Sequence, residues 1–147
     1  MNKYRLLVSF CTLLFLTALV AGCKSPGIDS PISVSEVEFQ LYSAFYNKAL
    51  VPSDPDDVAL VVKGEVLSGE GDLQSRMDAL GRLFPNSEIW ITDENGRKST
   101  PGVVMTALTP NGNPGISWVF HVAKNSRSLT LSLPGGQTIR NVDSLVE

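Results

Sequence analysis

Two short runs near the carboxy terminus constrain this chain more than any other feature. In the first, Ile116, Trp118, Phe120 and Val122 alternate with Ser117, Val119 and His121. In the second, Leu129, Leu131 and Leu133 alternate with Ser128, Thr130 and Ser132. A period of two places every second side chain on one face, so each run is a strand with one apolar and one wetter face. The link Ala123-Lys-Asn-Ser-Arg127 is five residues long, which predicts that the two strands form an antiparallel hairpin. Burying the seven apolar side chains at ~1.5–3 kcal/mol each contributes roughly 10–20 kcal/mol gross, the largest block of core in the sequence.

The same periodicity recurs upstream. Ile32 and Val34, then Val37, Phe39 and Leu41, alternate with polar neighbours; the phase slips at Ser35-Glu36, which predicts a bulge or two short strands. Leu41, Phe45 and Ala49 share helical spacing, so Tyr42 to Leu50 is expected to be a loop or a short helix. Val51-Pro-Ser-Asp-Pro-Asp-Asp57 is turn chemistry. Val58 to Leu67 begins apolar on both faces and sets Leu60, Val62, Gly64 and Val66 on one side, as a central strand does. From Asp72, a candidate N-cap, Leu73, Met77, Leu80 and Phe84 recur at helical spacing until Pro85 ends the run.

Ile89 and Ile91 flank Trp90 in the next strand, and Asp93-Glu-Asn-Gly96 makes a tight turn. Val103 to Leu108 is a further strand, Thr109 to Gly115 a second turn, and Pro134-Gly-Gly136 leads into a last strand, Thr138 to Val142. Seven or eight short strands separated by Gly/Pro/Asn turns predict a mainly-β chain. The expected architecture is an immunoglobulin-like antiparallel β-sandwich over residues 32–147, with one short helical insertion.

The amino terminus is of a different kind. Lys3 and Arg5 precede an apolar run, Leu6 to Val20, and the small residues Ala21 and Gly22 lead into Cys23. This is the layout of a secretory signal, which predicts a signal-peptide helix within residues 1–22. The run of about 15 residues is short against the ~20 that a spanning helix requires. Val20-Ala21-Gly22-Cys23 resembles the lipobox, in which the chain is cut between Gly22 and Cys23 and the thiol carries a diacylglycerol. Two or more acyl chains hold a protein stably, at about 0.8 kcal/mol per buried methylene. The expected partner of Cys23 is therefore a lipid bilayer. Residues 23–31, with Pro26, Gly27 and Pro31, are expected to be the lipidated cysteine and a flexible tether. Lys24 rather than aspartate after the cysteine points to the outer membrane if the host is diderm.

Removal of the signal leaves one domain with ten basic and fifteen acidic residues, a net charge of −5. The basic residues are scattered, whereas phosphate binding needs them clustered, so nucleic acid is excluded as a partner. Cys11 lies in the signal and Cys23 is consumed by lipid. No disulfide, thiolate nucleophile or zinc-thiolate site is then expected.

Ser87 to Asn141, about 55 of the 147 residues, resembles the carboxy-terminal half of the telokin-like, immunoglobulin-like domains of the DUF4352 type. The match rests on Asp93-Glu-Asn-Gly96 closing a strand, on the aromatic strand Trp118-Val-Phe120, and on Ser128 to Leu133 after a short basic turn. The insertion at 72–84 departs from that pattern. The resemblance implies an extracytoplasmic lipoprotein domain that binds or scaffolds, and it carries no catalytic residue over.

Chemistry-bearing residues are sparse. His121 is the sole histidine, its wet-face neighbours are Ser117 and Val119, and no Gly-x-Ser-x-Gly elbow occurs. A surface strand histidine is therefore expected. Asp54, Asp56 and Asp57 are weak candidates for a metal site: the spacing lacks the glycine and distal glutamate of an EF-hand loop, and Pro55 interrupts it. A solvated turn is the expectation there, as for Glu70 with Asp72 and Asp93 with Glu94. Tyr42, Phe45 and Tyr46 form a candidate contact patch if exposed, though core burial of at least two is expected. The expected function is that of a non-enzymatic envelope lipoprotein without a cofactor, binding or scaffolding a protein or envelope polymer. The alternatives are a carboxylate- or metal-dependent envelope hydrolase and a structural accessory subunit of an envelope complex.

Overall fold

The computed structural model describes residues 26–28 and 30–146; the signal segment and Cys23 lie outside them. Among the described residues the strands are β1 (Ile32–Val34), β2 (Val37–Tyr46), β3 (Asp57–Ser68), β4 (Trp90–Thr92), β5 (Lys98–Ser99), β6 (Val103–Leu108), β7 (Pro114–Ala123), β8 (Thr130–Leu133) and β9 (Gln137–Ile139). One helix, α1 (Leu73–Leu83), is inserted after β3. A five-stranded sheet has the order β1-β2-β3-β7-β6 and a four-stranded sheet the order β5-β4-β8-β9, antiparallel throughout. Leu60, Val62, Trp118 and Phe120 of the larger sheet share one core with Ile91, Leu131, Leu133 and Ile139 of the smaller. The result is the mainly-β antiparallel sandwich with a helical insertion that the alternation predicts.

The expected hairpin between residues 116–122 and 129–133 does not form. β7 pairs with β3 and β6, whereas β8 pairs with β4 and β9 in the other sheet. Alternation fixes which face of a strand turns inward. It does not choose between two neighbours in one sheet and two strands facing each other across the core. The link instead crosses between the sheets. Glu94 accepts the Arg127 N–H at 2.7 Å, and Asp143 accepts those of Ser128 and Leu129 at 3.2 and 2.7 Å. These carboxylates satisfy donors that a hairpin ladder would have paired.

Three boundaries also differ from expectation. β2 runs on to Tyr46 instead of yielding to a loop or helix. Leu41 pairs with Gly64 and Ser43 with Lys63, so Tyr42 is an extra residue, a β-bulge. One inserted residue shifts the phase, and the inward set passes from Phe39 and Leu41 to Ala44. Leu41 therefore points inward and Phe45 outward, and their spacing of four does not mark one face. At Ser35-Glu36, by contrast, the chain meets one of the two expectations: two strands joined by a two-residue turn, with Ser35 at φ 54°. The last strand ends at Ile139, because Asn141 turns left-handed (φ 56°) and Val142 enters a 3-10 turn.

The third boundary is the tether. Gly27 and Ile28 are buried, Ile28 within the core. The Gly27 N–H donates to the Ser30 carbonyl at 2.8 Å, and the Gly27 carbonyl accepts from Leu41 at 2.6 Å. Among the described residues the packed body thus reaches back to Gly27, before the expected boundary at residue 32. Polar, proline-rich composition hid one large apolar anchor, Ile28.

The helix follows its sequence closely. Asp72 accepts the Ser75 N–H at 2.8 Å, while Leu80 and Phe84 are buried and the first-turn Leu73 is exposed. The Phe84 ring stands 4.9 Å from Phe39 and 5.8 Å from Trp118, centroid to centroid. Together these three rings close the core at the helical end.

Candidate functional site

An open cleft of about 440 Å³ lies where the β2–β3 loop folds over the strand ends. Its wall carries Tyr46, Leu50, Val51, Pro52 and Val58, with Lys48 on the rim. The loop is shaped by short-range bonds of the kind that Asn and Asp make with their own backbone. Asn47 accepts the Ala49 N–H and Asp54 the Asp56 N–H, each at 2.9 Å. Lys124 ties the loop to the end of β7: its N–H donates to the Asp56 carbonyl at 2.9 Å, and its ammonium donates to the Pro55 carbonyl. Val51 is 86% exposed and Leu50 41%. Apolar side chains are thus held in water by a loop pinned at both ends, an arrangement suited to contact with another apolar surface.

The three aspartates of the loop do not act together. Asp57 is buried and makes a bidentate ion pair with Arg97 at 2.8 and 2.7 Å. Asp57 opens β3 and Arg97 follows the β4 turn, so the pair clips one sheet to the other. The Asp57 carboxylate beside it holds the Arg97 pKa above its ordinary value. Asp54 and Asp56 stay at the exposed turn. Among the described residues, no three His, Cys, Asp or Glu side chains stand close enough to hold a metal ion.

The aromatic candidates are split by the bulge and do not form one patch. Tyr46 lines the cleft. Burial raises its phenol pKa, with a smaller push from Asp143. Phe45 lies on the outer face of the larger sheet against Ala59, Val61 and Val119, under the Lys63 ammonium at 5.1 Å from the ring centroid. Tyr42 is 38% exposed at the bulge, and its pKa is raised by burial and then by Glu65. None of the three is fully buried, against the expectation for at least two.

His121 is exposed opposite Ala59 and borders a cavity of only about 10 Å³ with Asp93, Arg97 and Ser99. The Asp93 carboxylate is occupied by the N–H groups of Asn95 and Arg97, each at 2.9 Å, and by the Ser126 hydroxyl at 3.4 Å. That geometry serves a turn.

One residue escaped the sequence reading. Glu65, in the central strand, is 3% exposed. It accepts from the Thr109 hydroxyl and the Asn113 amide at 3.0 Å each, and from Asn111 at 3.4 Å. It pins the β6–β7 turn from beneath. An acid inside a mostly apolar strand, matched by amide and hydroxyl donors in Thr-Pro-Asn-Gly-Asn113, was the available signal. Compared with protein-family models, curated proteins and solved structures, the chain gives no match in any of the three.

Proposed function

We propose that this chain is a lipid-anchored, extracytoplasmic protein of the bacterial cell envelope. It acts as a non-enzymatic binding or scaffolding module whose contact surface is the β2–β3 cleft. The observation that carries the binding reading is the exposure of Leu50 and Val51 beside a cleft of about 440 Å³. The anchor reading rests on the signal-like segment ending in Ala21-Gly22-Cys23, and the resemblance of Ser87–Asn141 to DUF4352-type domains leads the same way. Lys24 after the cysteine favours the outer membrane in a diderm host.

The two halves of the proposal separate in experiment. Feeding cells a labelled fatty acid should mark the chain, and Cys23→Ser should lose both the label and membrane partitioning. A Cys23→Ser protein that still labels would end the anchor reading. A photo-crosslinking side chain at Val51 should trap a defined partner in intact cells, whereas one at Ser144 should not. Equal adducts at both positions, or none at Val51, would end the binding reading.

The accessory-subunit alternative finds support at the other edge of the larger sheet. Among the described residues no strand pairs with the outer side of β6, and Val103, Met105 and Leu108 are each about half exposed, at 49, 52 and 54%. An open edge strand of this kind can accept a strand from a neighbouring protein.

A further inference from the structure

Resting on the lipid-anchor reading, we propose that the side of the sandwich formed by Gly27–Ile28, β1 and β9 lies against the bilayer, with the β5/β6 side facing away. The length of chain between the acylated residue and the packed Gly27 sets this arrangement. Gly27 is fixed: it is buried, it bonds to Ser30 and Leu41, and an added Cβ would stand 2.6 Å from the Ile139 side chain on β9. It therefore marks the edge where β2 of the larger sheet meets β9 of the smaller. Three residues, Lys24, Ser25 and Pro26, separate Cys23 from Gly27, and the four Cα–Cα steps between them reach only ~14 Å even fully extended.

The sandwich is larger than that leash. Four inter-strand steps separate β1 from β6 in the larger sheet, which at ~4.8 Å each is roughly 19 Å. The chain cannot bring the β6 edge down onto the lipid while Gly27 stands on top. Gly27 also meets β2 at Leu41, near the middle of that strand. Both ends of the sandwich, with the cleft loop at one and α1 at the other, consequently stand farther from the anchor than the β1/β9 side. The occupant of that side is a lipid surface. The open β6 edge is left pointing into the aqueous space, where a partner can reach it.

The test uses the full acylated chain in liposomes that contain a headgroup-linked quencher. A thiol-reactive fluorophore is placed at Thr138→Cys on β9 or at Thr106→Cys on β6, both exposed positions. The β9 label should lose emission and the β6 label should not. Inserting twenty Gly/Ser residues between Ser25 and Pro26 should erase the difference. Equal quenching at both sites, or a difference that survives the insertion, overturns the side-on arrangement. Flotation of the same liposomes is scored separately. A chain that does not float overturns the anchor reading itself, whereas a chain that floats with equal quenching overturns only this inference.

Discussion

Gly64 offers a direct test of how the core is built, because two physical effects oppose each other there. It lies in the interior of β3, paired with Leu41 on one side and Ile116 on the other. Glycine in a strand interior costs roughly 0.5–1 kcal/mol relative to alanine, so propensity alone predicts that Gly64→Ala stabilises the protein. The packing predicts the reverse. An added Cβ would stand 2.1 Å from Cζ and 2.5 Å from Cε2 of Phe39, against an ordinary carbon contact of about 3.5–4.0 Å. The ring would have to retreat by more than an ångström. It has little room, because Phe39 is fully buried and its ring lies 4.9 Å from Phe84 and 5.9 Å from Trp118. Overpacking of this kind costs typically 1–3 kcal/mol, so the clash wins by about 1–2 kcal/mol. In urea, at a slope of roughly 2 kcal/mol/M, the midpoint should fall by about 0.5–1 M. Phe39→Leu removes the obstructing ring atoms, and in that background Gly64→Ala should cost little, a coupling detectable in a double-mutant cycle. A midpoint for Gly64→Ala at or above wild type, or a cost undiminished by Phe39→Leu, would refute the reasoning.

Other outcomes follow from the same contacts. Trp118→Ala should cost about 3–5 kcal/mol in denaturant unfolding. Trp118→Phe should cost much less, because the indole N–H is buried with no partner among the described residues and its removal relieves roughly 1–3 kcal/mol. Arg97→Ala should lower the melting temperature by leaving Asp57 buried and unpaired, and adding Asp57→Ala should recover part of the loss; no recovery would show that the clip is not what holds the sheets there. The Asp72 carboxylate is held below its ordinary pKa mainly by the Ser75 N–H. Its contribution is therefore full above the ordinary aspartate range, near pH 4, and is lost as pH falls towards the lowered value. Asp72→Asn keeps a capping oxygen and should flatten that part of the pH profile of the melting temperature.

The sequence made the faces of strands legible but not their neighbours. Every inward residue of β7, Ile116, Trp118, Phe120 and Val122, is buried as the period of two requires. Yet its partner strands are β3 and β6, because the same alternation is satisfied by any neighbour that covers the apolar face. The cap at Asp72, the stop at Pro85 and the turn at Asp93–Gly96 were readable because each is a local bond between near residues. The bulge at Tyr42 was not, since it is defined against β3, whose residues lie about twenty positions away. The anchoring of Gly27 and Ile28 was hidden for a similar reason: the partners of Gly27, Leu41 and Ile139, come from elements that the composition of residues 24–31 does not mention.

The candidate site shows the same limit from the side of chemistry. Acids, some of which read as solvated turns or a weak ligand set, bind the protein's own backbone and side chains. Asp57 holds Arg97, Glu65 holds the β6–β7 turn, Asp93 and Asp143 hold turn and link N–H groups, and Glu94 holds Arg127. A domain without disulfides needs some other means of fixing long connections, and a carboxylate that accepts two or three bonds supplies it. Acids so engaged have few lone pairs free for a proton or a cation. Exposed apolar side chains gather at two places: Leu50 and Val51 at the cleft, and Val103, Met105 and Leu108 on β6. Contact with another molecule should therefore depend on shape and buried apolar area more than on charge, and should respond weakly to ionic strength.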